Sequence, residues 1–324
     1  MENLKNWLSS MFYLFFLGSI SQEIPQAQIS NGLIKATIYL PDEHKGYYRG
    51  TRFDWSGVMP VLEHGGHSYF GKWFKTYDPK VHESVMGPVE EFGPVGYDKT
   101  KIGDSFLKIG IGTLRKPVEP RYSNFKTYEI HDAGEWEVES LTNQTSFKHI
   151  LNDRPYSYEY QKVISLSPDT SEMVITHSLT NHGDDRIETE VYNHNFFFLD
   201  GLNIGPGYVV RFPFKIVGKG KINDIGKFVK IEDDEIVFIK KLGKKDHVYI
   251  GEITGFDNNN SNGYEIWVEN RRSGAGVKIT CDRPLSRLVF WSAQKTVCPE
   301  PYIDLEIAPG ATVNWTIKYD FYKL

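Results

Sequence analysis

Over most of its length the chain alternates apolar and polar residues with a period of two, the signature of strands with one buried face. The clearest cases are 158–166 and 172–180. They flank Ser167-Pro168-Asp169-Thr170-Ser171, where proline presets φ and aspartate bonds its own backbone, so a turn is expected there. Further strands are predicted over 32–40, 106–114, 125–130, 136–141, 187–198, 208–217, 235–239, 247–254, 264–270, 277–281, 287–292 and 313–321. Asp132-Ala133-Gly134 reads as the turn of a hairpin between 125–130 and 136–141. No long stretch carries helical periodicity, no Gly/Ser linker divides the chain, and no fixed repeat is present. Many short strands between turns predict an all-β fold, a large antiparallel β-sandwich in one domain over 22–324.

The first residues stand apart. Lys5 precedes an apolar run, Met11 to Leu17, and then small residues, Gly18-Ser19-Ile20-Ser21. This order reads as a signal peptide over 1–21 cut before Gln22, and it implies a periplasmic or secreted protein. The run is too short for a stable bilayer span. No cysteine follows it, so no lipid anchor is expected. Composition changes little: hydrophobic residues are 40% and charged residues 24%, both ordinary for a soluble globular enzyme. A net charge of -5 gives no electrostatic reason to bind nucleic acid. The expected state is a monomer. The two cysteines, Cys281 and Cys298, lie on or beside neighbouring predicted strands; a disulfide and two buried thiols both remain open.

Between Tyr47 and Gly103 the alternation fades. The segment is rich in Gly, Pro, His, Trp and Phe, and a loop region this long is usually functional. It holds Arg49, Arg52, His64 and His67 near aromatic rings and tight glycine turns, a composition suited to an oxygen-rich, anionic ligand. His64, Gly65, Gly66 and His67 do not have the helical i, i+4 spacing of a catalytic zinc site, so no metal is expected. No Gly-x-Ser-x-Gly elbow, Walker loop or dinucleotide fingerprint occurs, and no cofactor is expected.

Two motifs carry the chemistry. Tyr192-Asn193-His194-Asn195-Phe196-Phe197 places an imidazole at the end of a β-rich run. Cys298-Pro299-Glu300-Pro301-Tyr302 places a carboxylate between two prolines just before a final strand. A rigid acid and a rigid base serve proton transfer on a sugar. With Ala308-Pro309-Gly310 and Tyr319-Asp320-Phe321 after them, these motifs resemble the galactose mutarotase (aldose 1-epimerase) superfamily. The resemblance implies that His194 is a general acid and Glu300 the general base. It also implies that Asn193, His64 and an arginine, Arg52 or Arg49, help hold the sugar. Mutarotase-like folds also occur in polysaccharide lyases and in a dehydratase of ulvan breakdown. The reading is therefore a secreted carbohydrate-active enzyme that dehydrates or eliminates on uronate-bearing oligosaccharides. Aldose 1-epimerisation is the first alternative and a non-catalytic carbohydrate-binding module the second.

Overall fold

Alternating burial sets the architecture. In Gln144–Asp153 the residues Thr145, Phe147, His149 and Leu151 are all buried, with half-buried or exposed positions between them. Tyr156–Leu166 and Glu172–Asn181 repeat the pattern. The computed structural model describes residues 23–324 as an all-β sandwich built on two large antiparallel sheets. The larger has ten strands and includes Gln144–Asp153, Tyr156–Leu166, Glu172–Asn181 and Thr312–Lys323 as consecutive neighbours from near one edge inward, with Ala275–Cys281 beyond them. The smaller runs in the order Val217–Asn223, His247–Thr254, Arg287–Ala293, Thr296–Ile307, Ile187–Phe196 and Gly87–Phe92. Ile164, Ile175 and Ile317 of the ten-stranded sheet and Val191, Phe290 and Ile303 of the six-stranded sheet belong to one apolar core. A four-stranded and a three-stranded sheet complete the fold. Two 3-10 turns, Leu199–Gly201 and Ser261–Gly263, are the helical elements among the described residues. The expected signal peptide lies outside those residues.

Several predicted elements differ. The segment 106–114 is a hairpin, Ser105–Lys108 with Gly112–Arg115, because Gly110 and Gly112 take positive φ inside an apolar run. The strands on either side of Asp132-Ala133-Gly134 do not pair with each other. Ile130–Asp132 joins Gly112–Arg115, and Glu135–Ser140 joins Gln144–Asp153. The stretch from Tyr47 to Gly103 contains Val58–His64 and the wholly buried strand Gly87–Phe92. Glu300, expected just before the final strand, sits inside the twelve-residue strand Thr296–Ile307, which the last strand, Thr312–Lys323, follows. Cys281 and Cys298 are buried free thiols.

Candidate active site

The outer face of the six-stranded sheet is a grid of side chains set by strand register. Glu91 faces Tyr192, Tyr192 faces Tyr302, and Tyr302 faces Arg287, forming one row across four strands. The next row contains Val89, His194, Glu300 and Val289, because His194 pairs with Val89 and Glu300 with Val289. Phe196, Cys298 and Trp291 follow in the third, so residues two apart along each strand share the cleft face.

The backbone ladder between Ile187–Phe196 and Thr296–Ile307 runs to Tyr192 and Tyr302, then resumes only as the isolated pair Phe197 and Val297. Pro299 and Pro301 occupy this interval and have no N–H to donate. The Asn195 side chain fills the breach, donating from Nδ2 to Asn193 O at 3.2 Å and Pro299 O at 3.1 Å. Its Oδ1 accepts from the Tyr319 hydroxyl at 2.8 Å. This repair fixes the separation of the two catalytic candidates, and His194 Nε2 lies 3.3 Å from Glu300 Oε1.

The opposite wall comes from the segment that showed no alternation. Asp54 N donates to Glu90 O at 2.9 Å and Trp55 Nε1 to Gly50 O at 2.8 Å, pinning the turn that carries Arg52 above Glu91. Arg52 Nε donates to Glu91 Oε2 at 2.6 Å and Arg52 Nη2 to the Tyr192 hydroxyl at 3.0 Å; that hydroxyl donates to Glu91 Oε2 at 2.5 Å. The guanidinium also lies 4.6 Å from the Phe53 ring centre and 5.0 Å from that of Phe125. On the far side Arg287 pairs with Glu190 at 2.6 Å and lies 3.8 Å above the Tyr302 ring. The cleft between these walls encloses about 520 Å³, and Trp73, Tyr249 and Trp291 are among its aromatic lining.

Burial governs the proton chemistry. Both partners of the central pair are nearly sealed from solvent. Burial pushes the Glu300 carboxyl up to about 8, Arg52 pulling it down and Glu91 pushing it further up. Burial, helped by the Arg52 charge, holds His194 well below its usual value. Both shifts favour the uncharged forms, which sets the Glu300 carboxyl beside the His194 Nε2 lone pair at 3.3 Å. The imidazole stacks on Phe196 at 3.9 Å, and its Nδ1 is buried without a hydrogen-bond partner among the described residues. Glu91 behaves oppositely: burial alone would raise its carboxyl, but Arg52 and Lys108 outweigh burial and hold it low.

Of the residues singled out from sequence, His194, Glu300 and Arg52 meet in this cleft. Arg49 does not reach it; its Nη1 donates to His44 O at 2.8 Å and braces a loop. Asn193 points through the sheet, because it alternates with His194, and donates to Glu90 Oε1 at 3.2 Å. His64 and His67 line a separate depression on the four-stranded sheet, where His67 Nδ1 lies 3.1 Å from Asp200 Oδ2. His82 belongs to the cleft, so these three histidines do not converge. Sequence reasoning assigned no role to Glu91, Tyr192, Arg287 or Tyr302. The signal that finds them is spacing, since Tyr192 and Tyr302 each lie two residues from a catalytic candidate along its own strand.

No family model matches the sequence, and no curated protein matches it either. Solved structures do. A putative aldose 1-epimerase from Escherichia coli K12 superposes with a TM-score of 0.57 at 11% identity, covering 93% of this chain and 100% of that one. A galactose mutarotase related enzyme from Lactobacillus acidophilus gives 0.56 at 13% identity over 92% of this chain and 97% of its own. An aldose epimerase homologue from C. elegans gives 0.56 at 14% identity over 93% and 100%. The chain has the galactose mutarotase-like fold.

Proposed function

We propose that the protein is an acid–base enzyme acting at the anomeric carbon of a sugar, an aldose 1-epimerase. The observation that carries this reading is the buried pair His194 and Glu300, 3.3 Å apart on the cleft floor. Mutarotation removes a proton from the anomeric hydroxyl and delivers one to the ring oxygen; ring opening, rotation about the exposed C1–C2 bond and closure complete it. Both oxygens are bonded to one carbon. A base and an acid side by side on one surface suit them, each within hydrogen-bond reach of about 2.6–3.2 Å once the sugar is seated. In the resting protonation state the Glu300 O–H is the donor and the His194 lone pair the acceptor. This reverses the roles implied by the family resemblance. The reverse step restores both groups.

Elimination or dehydration on a uronate is the second reading. It needs a cation on the substrate carboxylate to stabilise the enolate-like charge. Arg52 and Arg287, the arginines of the cleft, already bridge Glu91 and Glu190. A neutral ring at the reacting position therefore fits better.

Anomer exchange of freshly dissolved hexoses, followed by polarimetry or NMR, tests the proposal. Acceleration by the wild type, lost in both Glu300→Gln and His194→Ala with circular dichroism unchanged, is the expected result. No acceleration for any aldose, with an unsaturated product from a uronate oligomer instead, would establish the second reading.

A further inference from the structure

The cleft does not end at its own rim. Pro94 and Tyr122 line it and also line a second depression of about 400 Å³, which includes Tyr97 and Tyr156. Lys99 and Tyr156 in turn are shared with a third depression of about 410 Å³. Three concavities thus adjoin in series, with His194 and Glu300 in the first.

Aromatic rings stand where the concavities meet. Tyr122 stacks on Tyr128 at 5.3 Å, and its hydroxyl is buried without a hydrogen-bond partner among the described residues, beside both concavities. Tyr156 meets Gly96 with its hydroxyl end, where a Cβ would stand 1.7 Å from the hydroxyl and where φ is +76°. Only glycine lets that ring occupy the junction. Aromatic rings at successive junctions suit sugar units, whose C–H faces pack on them.

Charge changes along the groove, whose middle depression sets Asp98, Asp185 and Glu188 against Lys99 and Arg186 and so suits a neutral unit. The reaction cleft has its two arginines neutralised by carboxylates. The far depression carries Lys99, Lys101, Arg115 and Arg154 against Asp104 and Asp153. Arg154 bridges Asp184, and Arg115 donates to Gly103 O and contacts His131. The ammonium groups of Lys99 and Lys101 have no carboxylate partner among the described residues.

We propose that the substrate is an oligosaccharide whose neutral or neutralised reducing end enters the His194 and Glu300 cleft, whose next unit crosses Tyr122 and Tyr156, and whose acidic group, a carboxylate or sulfate, rests at Lys99 and Lys101. The placement of the reducing end rests on the epimerase reading; the groove itself does not.

Calorimetry on Glu300→Gln, which blocks turnover, separates the two. The probes are glucose, the neutral glucose tetramer cellotetraose, and the same tetramer carrying a glucuronate as its non-reducing terminal unit. The acidic tetramer is expected to bind on the order of tenfold or more tightly than glucose. Adding Lys99→Ala and Lys101→Ala should remove about tenfold of that gain and most of its salt dependence, leaving monomer and neutral tetramer unchanged. Tyr156→Ala should weaken both tetramers. Equal affinity for monomer and tetramer overturns the groove. An equal gain for the neutral tetramer, or no loss in the lysine variant, overturns the acidic end. If length-dependent binding appears but the wild type epimerises no sugar, the groove stands and the catalytic reading falls; if monosaccharides turn over with no gain from length, the reverse holds.

Discussion

Glu300 pays for its position with its charge. A carboxyl raised to about 8 from an ordinary 4.5 binds its proton more tightly in the folded protein than in the unfolded chain. Folding stability is therefore unpenalised below about pH 4.5, declines as pH rises towards 8, and is lowest above it. At about 1.4 kcal/mol per pH unit the full loss is about 5 kcal/mol at most. Glu300→Gln cannot ionise, so its melting temperature should exceed that of the wild type at pH 9 and approach it at pH 5, as thermal melts at the two values will show. The same proton sets the kinetics. With Glu300 as donor and His194 as acceptor, kcat/KM should fall above about pH 8 as the pair loses its proton, and fall again only in acid, where His194 gains one. A pH–rate profile that instead rises through 8 would make Glu300 the base. His194, Glu300 and Arg52 were legible because their neighbours are unusual: an Asn-His-Asn run, a carboxylate between prolines, an arginine among rings. Glu91 was not legible. Glu90-Glu91 reads as a solvated pair, yet it sits in a strand buried along its whole length, each carboxylate held by a cation that is remote in sequence.

At the level of strands, the sheet under the site is repaired rather than continuous. Asn195 bridges the interval that Pro299 and Pro301 cannot pair, and all of its partners are buried. Asn195→Ala strands two carbonyls and the Tyr319 hydroxyl, which should cost about 2–3 kcal/mol in urea unfolding. It should also lower kcat more than it raises KM, because the spacing of His194 and Glu300 loosens. Asn195→Asp is a poor rescue, since it offers no donor to the carbonyls. Strands with apolar alternation were readable; the others fail for a shared reason. Gln144–Asp153 turns Thr145 and His149 inward, and His149 is satisfied by the Tyr158 hydroxyl and Ala133 O, both at 2.8 Å. A buried polar side chain with a distant partner looks, in sequence, like an exposed one.

Across the whole molecule that lesson becomes a layer. Lys162 occupies an inward position of Tyr156–Leu166, fully buried, and donates to Glu90, to Ser56 O at 3.0 Å and to Asp54 Oδ2 at 3.4 Å. His177 Nε2 lies 2.9 Å from Glu90 Oε1. Lys162 and His177 come from the ten-stranded sheet and Glu90 from the six-stranded one, so this cluster clamps the sandwich directly beneath the cleft. Burial works against the Glu90 charge, but Lys162 and His177 outweigh it and hold the carboxyl down to about 2. The stability this contributes is present above pH 4.5 and lost as pH falls towards 2. Lys162→Met should cost about 3–5 kcal/mol by leaving buried carboxylates unpaired, and adding Glu90→Gln should return part of it; denaturant midpoints of the single and double variants decide this.

The ring column above His194 makes the protein its own indicator. The imidazole stacks on Phe196, Phe196 on Trp73 at 5.0 Å, and Trp291 meets both the imidazole and Trp73 edge-on, at 5.7 and 5.5 Å. Two indole fluorophores thus watch a single proton acceptor, and both border the cleft. A ligand seated there, or a proton added to the imidazole, changes their emission. Occupancy can then be followed by light from the unlabelled enzyme, even for sugars that leave no coloured product.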